Sequence, residues 1–299
     1  MTTVTGIVKG GQLIPEEQWR KFIASLTPNP DDLETNKERS KRAIARLLAE
    51  AVKKRLKEKN AVLFSGGVDS SLIAFIIRKL GKEPLCYTVG MEGSDDLAWA
   101  QKSAQLHGFA LRHKTITLEE LETIMGKVIA ITGSRDIITV GVGAVTYAGC
   151  AMAKRENHSA VFTGLGSEEL FAGYERHAKA LEQGFDAVHG ECLAGLANMR
   201  QRDMVRDVAI ASHFGMELLL PFLDKDVMKE SLSIHPMHKI SGEEKKIILR
   251  EAAESMGMSR DIARRKKQAA QYGSNIINGI DKLAKRKGFS LKKDYLESL

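Results

Sequence analysis

Ala61-Val-Leu-Phe-Ser-Gly-Gly-Val-Asp-Ser-Ser-Leu-Ile-Ala74 puts three kinds of local structure into one run. Ala61 to Phe64 is apolar throughout, which suits a strand buried on both faces of a parallel sheet. Ser65-Gly66-Gly67 is small and permissive enough for a tight turn that exposes backbone N–H groups. Asp69, Ser70 and Ser71 then lead into an apolar-periodic run, Leu72 to Leu80, with helical spacing. A strand, a glycine turn and a helix N-terminus together make an anion site, because the free N–H groups of the first turn and the aligned peptide dipoles place roughly +0.5 charge there. Hydroxyls of Ser65, Ser70 and Ser71 add donors. Asp69 does not favour a bare phosphate, but it suits Mg²⁺, a hard ion that bridges one or two carboxylates to phosphates. The plain alternative is a βα turn capped by Asp69 or Ser70 with no ligand. The string has neither the Gly-Lys-Ser/Thr ending of a Walker loop nor the G-x-G-x-x-G spacing of a dinucleotide fold.

At 299 residues the chain is long enough for a substantial core, and 43% hydrophobic with 28% charged residues is ordinary for a globular protein. No apolar run approaches the ~20 residues of a membrane span, and Met1-Thr-Thr-Val-Thr-Gly-Ile lacks the features of a signal peptide, so a cytoplasmic protein without a membrane partner is expected. Cys86, Cys150 and Cys192 are odd in number and far apart, which argues against a disulfide framework or a structural zinc site and for three buried small hydrophobes. The net charge of +7 fits an anionic ligand such as ATP. The excess gathers late, from Arg260, Arg264, Arg265, Lys266 and Lys267 to Lys292 and Lys293, and reads first as a solvated face.

Outward from the loop, strand and helix patterns alternate. Asn36 to Lys59 is an amphipathic helix leading into the first strand. Glu83 to Val89 is a second strand. Asp95 to Gly108 is a helix capped by Ser94 or Asp96, with Leu97, Ala100, Ala104 and Leu106 inside. Leu111 to Ile116 is a third strand, and Thr117-Leu-Glu-Glu120 opens a helix with a capping box. Val140 to Lys154 is a small-residue helix, and Ser159 to Phe162 is a fourth strand. The alternation predicts an α/β fold with a doubly wound, mainly parallel sheet, and ligands beyond the carboxyl ends of its strands. Past residue 175 no strand is expected; helices are, among them Glu243 to Met256. The chain is thus divided into a lead-in at 1–35, an α/β core at 36–173 and a mainly helical part at 174–299 that closes the same site.

A second turn follows the fourth strand: Thr163-Gly164-Leu165-Gly166-Ser167-Glu168-Glu169, running on to Gly173-Tyr174. Its acids are either a helix start favoured by the dipole or the rest of a magnesium shell begun by Asp69. The Ser65 to Ser71 string resembles the pyrophosphate loop of the N-type ATP pyrophosphatases, of the adenine nucleotide alpha hydrolase fold. With Met216-Glu-Leu-Leu-Leu-Pro-Phe-Leu-Asp224, Glu244-Lys-Lys-Ile-Ile-Leu-Arg250 and Ile262-Ala-Arg-Arg-Lys-Lys267, the chain from Asn36 to Gly273 resembles the synthetase domain of glutamine-dependent asparagine synthetases. The resemblance implies ATP on Ser65, Gly66, Gly67, Asp69, Ser70, Ser71, Val89, Gly90, Thr163 and Gly164, with Mg²⁺ near Asp69 and Glu168. It implies a ligase in which a carboxylate attacks the α-phosphorus and ammonia or an amine displaces AMP. Lys246 and Glu217 match its catalytic positions.

Leu165 replaces an acid of that family's pattern and Leu219 an arginine, while Glu168 stands for aspartate. The pocket is therefore expected to be more apolar, with a carboxylate substrate other than aspartate. The family's nucleophilic cysteine is replaced by Thr2, so ammonia is expected free, from a separate glutaminase subunit, or as an amine-bearing substrate. A homodimer stays open. The rivals are a tRNA-modifying enzyme, disfavoured by the absence of activated cysteines, and a non-catalytic nucleotide-binding protein.

Overall fold

Short apolar runs between helices become the strands of one parallel sheet. The computed structural model describes residues 7–9, 12–266 and 269–299; Thr2, Gly10, Gly11 and Lys267 lie outside them. The sheet strands are β1 (Asn60–Leu63), β2 (Pro84–Gly90), β3 (Ala110–Thr115), β4 (Ala160–Phe162) and β5 (Glu217–Leu219). Their spatial order is β3-β2-β1-β4-β5, with every pairing parallel. Ala61 lies opposite both Leu85 and Val161, so β1 is central. The chain steps outward through β2 and β3, then returns to the other flank of β1 with β4 and β5. This reversal between β1 and β4 is the switch point at which such sheets bind ligands. The doubly wound α/β fold expected from the alternation is therefore present.

The fifth strand was not expected. Glu217–Leu219 extends the sheet beyond β4, in a stretch where only helices were anticipated. Its three residues are too short for alternation to show, and the proline that follows masks them. A second difference is the two-stranded hairpin of Ile240–Ser241 with Glu244–Lys245, which delays the next helix to Ile247–Ser255. Leu106, expected inside, is 53% exposed.

Two compact units make up the chain. One takes residues up to Leu56, Gly164–Gln201 and Leu220–Arg264; the other takes Lys57–Thr163, Arg202–Leu219 and Arg265–Leu299. Residue 173 lies inside the middle segment of the first unit. In that unit the Lys37–Lys53 helix, capped by Asn36, buries Ile44, Leu48, Ala51 and Val52 and packs on the Lys225–Ser233 and Ile247–Ser255 helices. Trp19 donates its indole N–H to the Leu196 carbonyl at 2.9 Å within the same unit.

The second unit holds the sheet. The Asp95–His107 helix is capped by Ser94, whose Oγ accepts from the Leu97 N–H at 3.1 Å. The capping box of Thr117 and Glu120 is formed. A core of Val89, Met91, Leu121 and Met125 closes over Ile276, Ile280 and Leu283. The Ile137–Arg155 helix is long enough to cross a membrane and has a mean hydropathy of 1.4, contrary to the expectation that no run comes near that length. More than half of it is buried inside this fold, and its small residues set how closely it packs. A Cβ on Gly149 would stand 2.6 Å from Cδ2 of Leu63, the last residue of β1. The three cysteines are free and buried, as expected.

Candidate active site

In the sheet unit, the turn after β1 is braced by its own serines. Ser70 Oγ accepts from the Ser65 N–H at 3.2 Å and lies 3.4 Å from Ser65 Oγ and from the Gly67 carbonyl. Gly67 is the N-cap residue of the Val68–Lys79 helix and makes no side-chain cap, so the N-cap position considered for Asp69 or Ser70 is taken by glycine. Asp69, Ser70 and Ser71 sit within that first turn, and Asp69 is 8% exposed. Gly66 has φ +69°, and a Cβ there would come within 2.5 Å of the Trp99 backbone. The loop therefore needs glycine for its conformation and for its packing.

Arg265 supports the loop from beneath. It is 4% exposed; its guanidinium donates to the Ser65 carbonyl and to Asp96 Oδ1 at 2.7 Å, and lies over the Trp99 ring. Sequence reasoning placed it in a solvated basic run, and only the tertiary fold reveals its burial. The neighbouring basic residues behave more nearly as expected: Lys285 and Lys292 pair with Asp281, Arg286 with Glu119 and Lys287 with Glu122.

Val89 and Gly90 end β2 at the same carboxyl edge of the sheet as the loop. The Gly90 carbonyl accepts from Ile116 N–H at 2.8 Å, and the Met91 N–H donates to Ser274 at 2.9 Å. Thr163 follows β4 at that edge, its N–H donating to Leu219. Glu217 does not join these residues. It pairs with Ala160 at the amino ends of the strands, opposite the loop edge, and its carboxylate meets Lys57 at 2.9 Å. Glu217, expected at a catalytic position, thus lies at the rim of the sheet opposite the loop.

In the other unit, the turn containing Gly164 carries the acids. Gly166 is left-handed at φ +96°, and Ser167–Leu170 forms one helical turn. Glu168 Oε1 lies 2.7 Å from Lys246 Nζ, which also donates to Ser167 Oγ at 3.1 Å. Lys246 is not on the helix, as the sequence predicted, but is its N-cap residue, at φ 58° and ψ 32°. A left-handed lysine costs of the order of 1–3 kcal/mol and persists only where its surroundings enforce it. Here the hairpin before it and Arg250, which donates to the Lys245 carbonyl at 2.7 Å, hold the backbone. Arg264 binds Glu254 at 2.5 Å and also pairs with Glu244 of the hairpin.

Two buried bases of this unit were not anticipated. His177 accepts the Tyr174 N–H on Nδ1 at 3.0 Å, which leaves the proton on Nε2, an atom with no hydrogen-bond partner among the described residues. Burial, with Arg176, Lys239, Lys245 and Lys246 around it, pushes its pKa down to about 3. Lys239 is wholly buried, its Nζ has no hydrogen-bond partner among the described residues, and burial lowers its pKa.

Among the described residues, no three His, Cys, Asp or Glu side chains group as a metal cage. Asp69 lies in the first helical turn after the glycine loop, and a carboxylate there fits Mg²⁺, which binds chiefly through substrate phosphates and water and takes one or two carboxylates from the protein.

A doubly wound parallel sheet with a glycine turn at its switch point defines the class of α/β proteins whose ligands lie beyond the carboxyl ends of the strands. The chain belongs to the asparagine synthase family, whose profile matches residues 43–188 and 179–292. It is 34% identical, over 89% of its length, to a Methanocaldococcus jannaschii protein described as "Putative asparagine synthetase [glutamine-hydrolyzing] 1", covering 56% of that protein. It is 33% identical, over 90% of its length, to the asparagine synthetase [glutamine-hydrolyzing] of Gallus gallus, covering 48% of it. The chain thus spans about half the length of these relatives. The solved NMN synthetase from Francisella tularensis shares 11% identity at a TM-score of 0.43, covering 89% of this chain and 94% of that one.

Proposed function

We propose that this chain is an ATP-dependent, AMP-forming amide synthetase acting on a carboxylate other than aspartate, with ammonia or an amine as nitrogen donor. The observation that carries this reading is the uncapped Ser65–Ser71 turn at the sheet's switch point, in a chain of the asparagine synthase family. The loop N–H groups would bind the β- and γ-phosphates, and Asp69 of one unit and Glu168 of the other are the carboxylates that would be offered to Mg²⁺. That ion, when bound, neutralises charge on the departing pyrophosphate. One carboxylate oxygen of the substrate forms a bond to the α-phosphorus as the bond to the β-phosphate oxygen breaks. The nitrogen then attacks the acyl carbon, loses a proton, and AMP leaves with the oxygen. Lys246 sets a cation against the charge that develops on the phosphate, a contribution worth a few kcal/mol to such a step. Leu165 and Leu219, where the family pattern has charged groups, favour a substrate end that carries no ammonium. Glu217, paired with Lys57 on the opposite rim, has no part in this reading.

The test is ATP–pyrophosphate exchange across a panel of carboxylates, followed by transfer of ¹⁸O from the labelled carboxylate to AMP. Exchange with label in AMP is the expected result. ADP and phosphate as products, or rapid asparagine formation from aspartate, would overturn the reaction type or the substrate class respectively. Lys246→Ala should abolish exchange and leave the unfolding transition in place.

A further inference from the structure

Gly173 is glycine for a reason that its own backbone does not supply. Its φ is not among the left-handed values of this chain; the residue before it, Ala172, takes that conformation at φ 54°. A Cβ at 173 would stand 1.8 Å from Glu168 Oε2 and 2.4 Å from Lys246 Cε. Real atoms do not approach so closely, so the pair of Glu168 and Lys246 occupies the space that any other side chain at 173 would fill.

We propose that Gly173 and Glu168 are positioning residues for Lys246, the empty side-chain site at 173 being the gap in which carboxylate and ammonium meet. Three observations converge on this. The Gly173 N–H donates to the Glu168 carbonyl at 2.8 Å, which folds the turn back over the pair. Ala172 takes a strained conformation that carries residue 173 to that place. Lys246, itself left-handed and 4% exposed, is held at its tip by Glu168 at 2.7 Å and Ser167 at 3.1 Å. A long flexible side chain on a strained backbone is thus fixed at both ends, which a group acting on developing charge requires.

The inference rests on the role proposed for Lys246, so its test reads the lysine separately from turnover. Gly173→Ala adds one methyl group in the gap; Glu168→Gln removes the charge without adding an atom and serves if the first variant folds poorly. Acetylation of Lys246 by acetic anhydride, followed by mass spectrometry, should be at least fivefold faster in either variant. The double variant should be no faster than the faster single one, because both changes break the same contact. In exchange assays Gly173→Ala should lower kcat at least tenfold, with a smaller change in the KM for ATP. Unchanged acetylation in folded Gly173→Ala, or single effects that multiply in the double variant, would overturn the positioning role. Faster acetylation with undiminished exchange would uphold the placement of the lysine and remove its assigned part in the chemistry.

Discussion

Gly66 shows how much one residue can decide. It must be left-handed, and its Cα faces the Trp99 backbone at a separation that admits no side chain. Gly66→Ala should therefore cost more than the 1–3 kcal/mol of a strained backbone alone, since a helix must also move. Urea unfolding should show the loss, and exchange activity should fall further than stability does, because the loop itself is displaced. His177 makes the second argument at this scale. Its folded pKa of about 3 lies below the ordinary histidine value, so the native ring stays neutral where the unfolded one gains a proton. Stability should accordingly fall as pH drops from about 6.5 towards 3, by up to about 1.4 kcal/mol for each pH unit. His177→Asn, which keeps an acceptor for the Tyr174 N–H, should flatten that slope in denaturant titrations across the range. His107, His158, His189 and His235 are also held below the ordinary value by burial, so a shallower slope should remain.

The elements that sequence could reveal are those whose signals are local. The Ser65–Ser71 turn, the capping box at Thr117 and the cap at Ser94 all follow from spacing and residue type, and the structure contains them. What escaped depends on distant chain. Glu217–Leu219 is a strand because β4 lies beside it, and three residues carry no period. The hairpin at Ile240–Lys245 consumes residues that are good helix formers, and so moves Lys246 from a helix to its cap. Arg265 resembles its exposed neighbours in sequence but is buried against Asp96 and Ser65. The Gly173 gap is invisible in any one-dimensional pattern, because one of the two side chains that need it, Lys246, comes from a distant segment. Lys239 extends the same lesson to stability. A lysine whose pKa is lowered by complete burial holds its proton less tightly when folded, so it makes the native state weaker as pH falls below the lysine range. Lys239→Met should raise the denaturation midpoint near neutral pH, and the gain should shrink towards pH 10.

Across the whole molecule, a net charge of +7 by itself attracts polyanions. Part of the late basic stretch is nevertheless paired within its own unit, Lys285 and Lys292 with Asp281, Arg286 with Glu119 and Lys287 with Glu122. Those four pairs reduce the counterions that a nucleic acid lying along it would release, and binding should be weak and lost by about 0.15 M salt. Fluorescence anisotropy with labelled tRNA checks this; tight binding at that salt would restore the tRNA-modifying alternative. The helix that passes for a membrane span has a further meaning. Its bare position at Gly149 is where Leu63 seats, two residues before the serine that opens the glycine turn. The height of that turn above the sheet is consequently gauged from behind, by the missing side chain of a single glycine on a helix that supplies no residue to the turn.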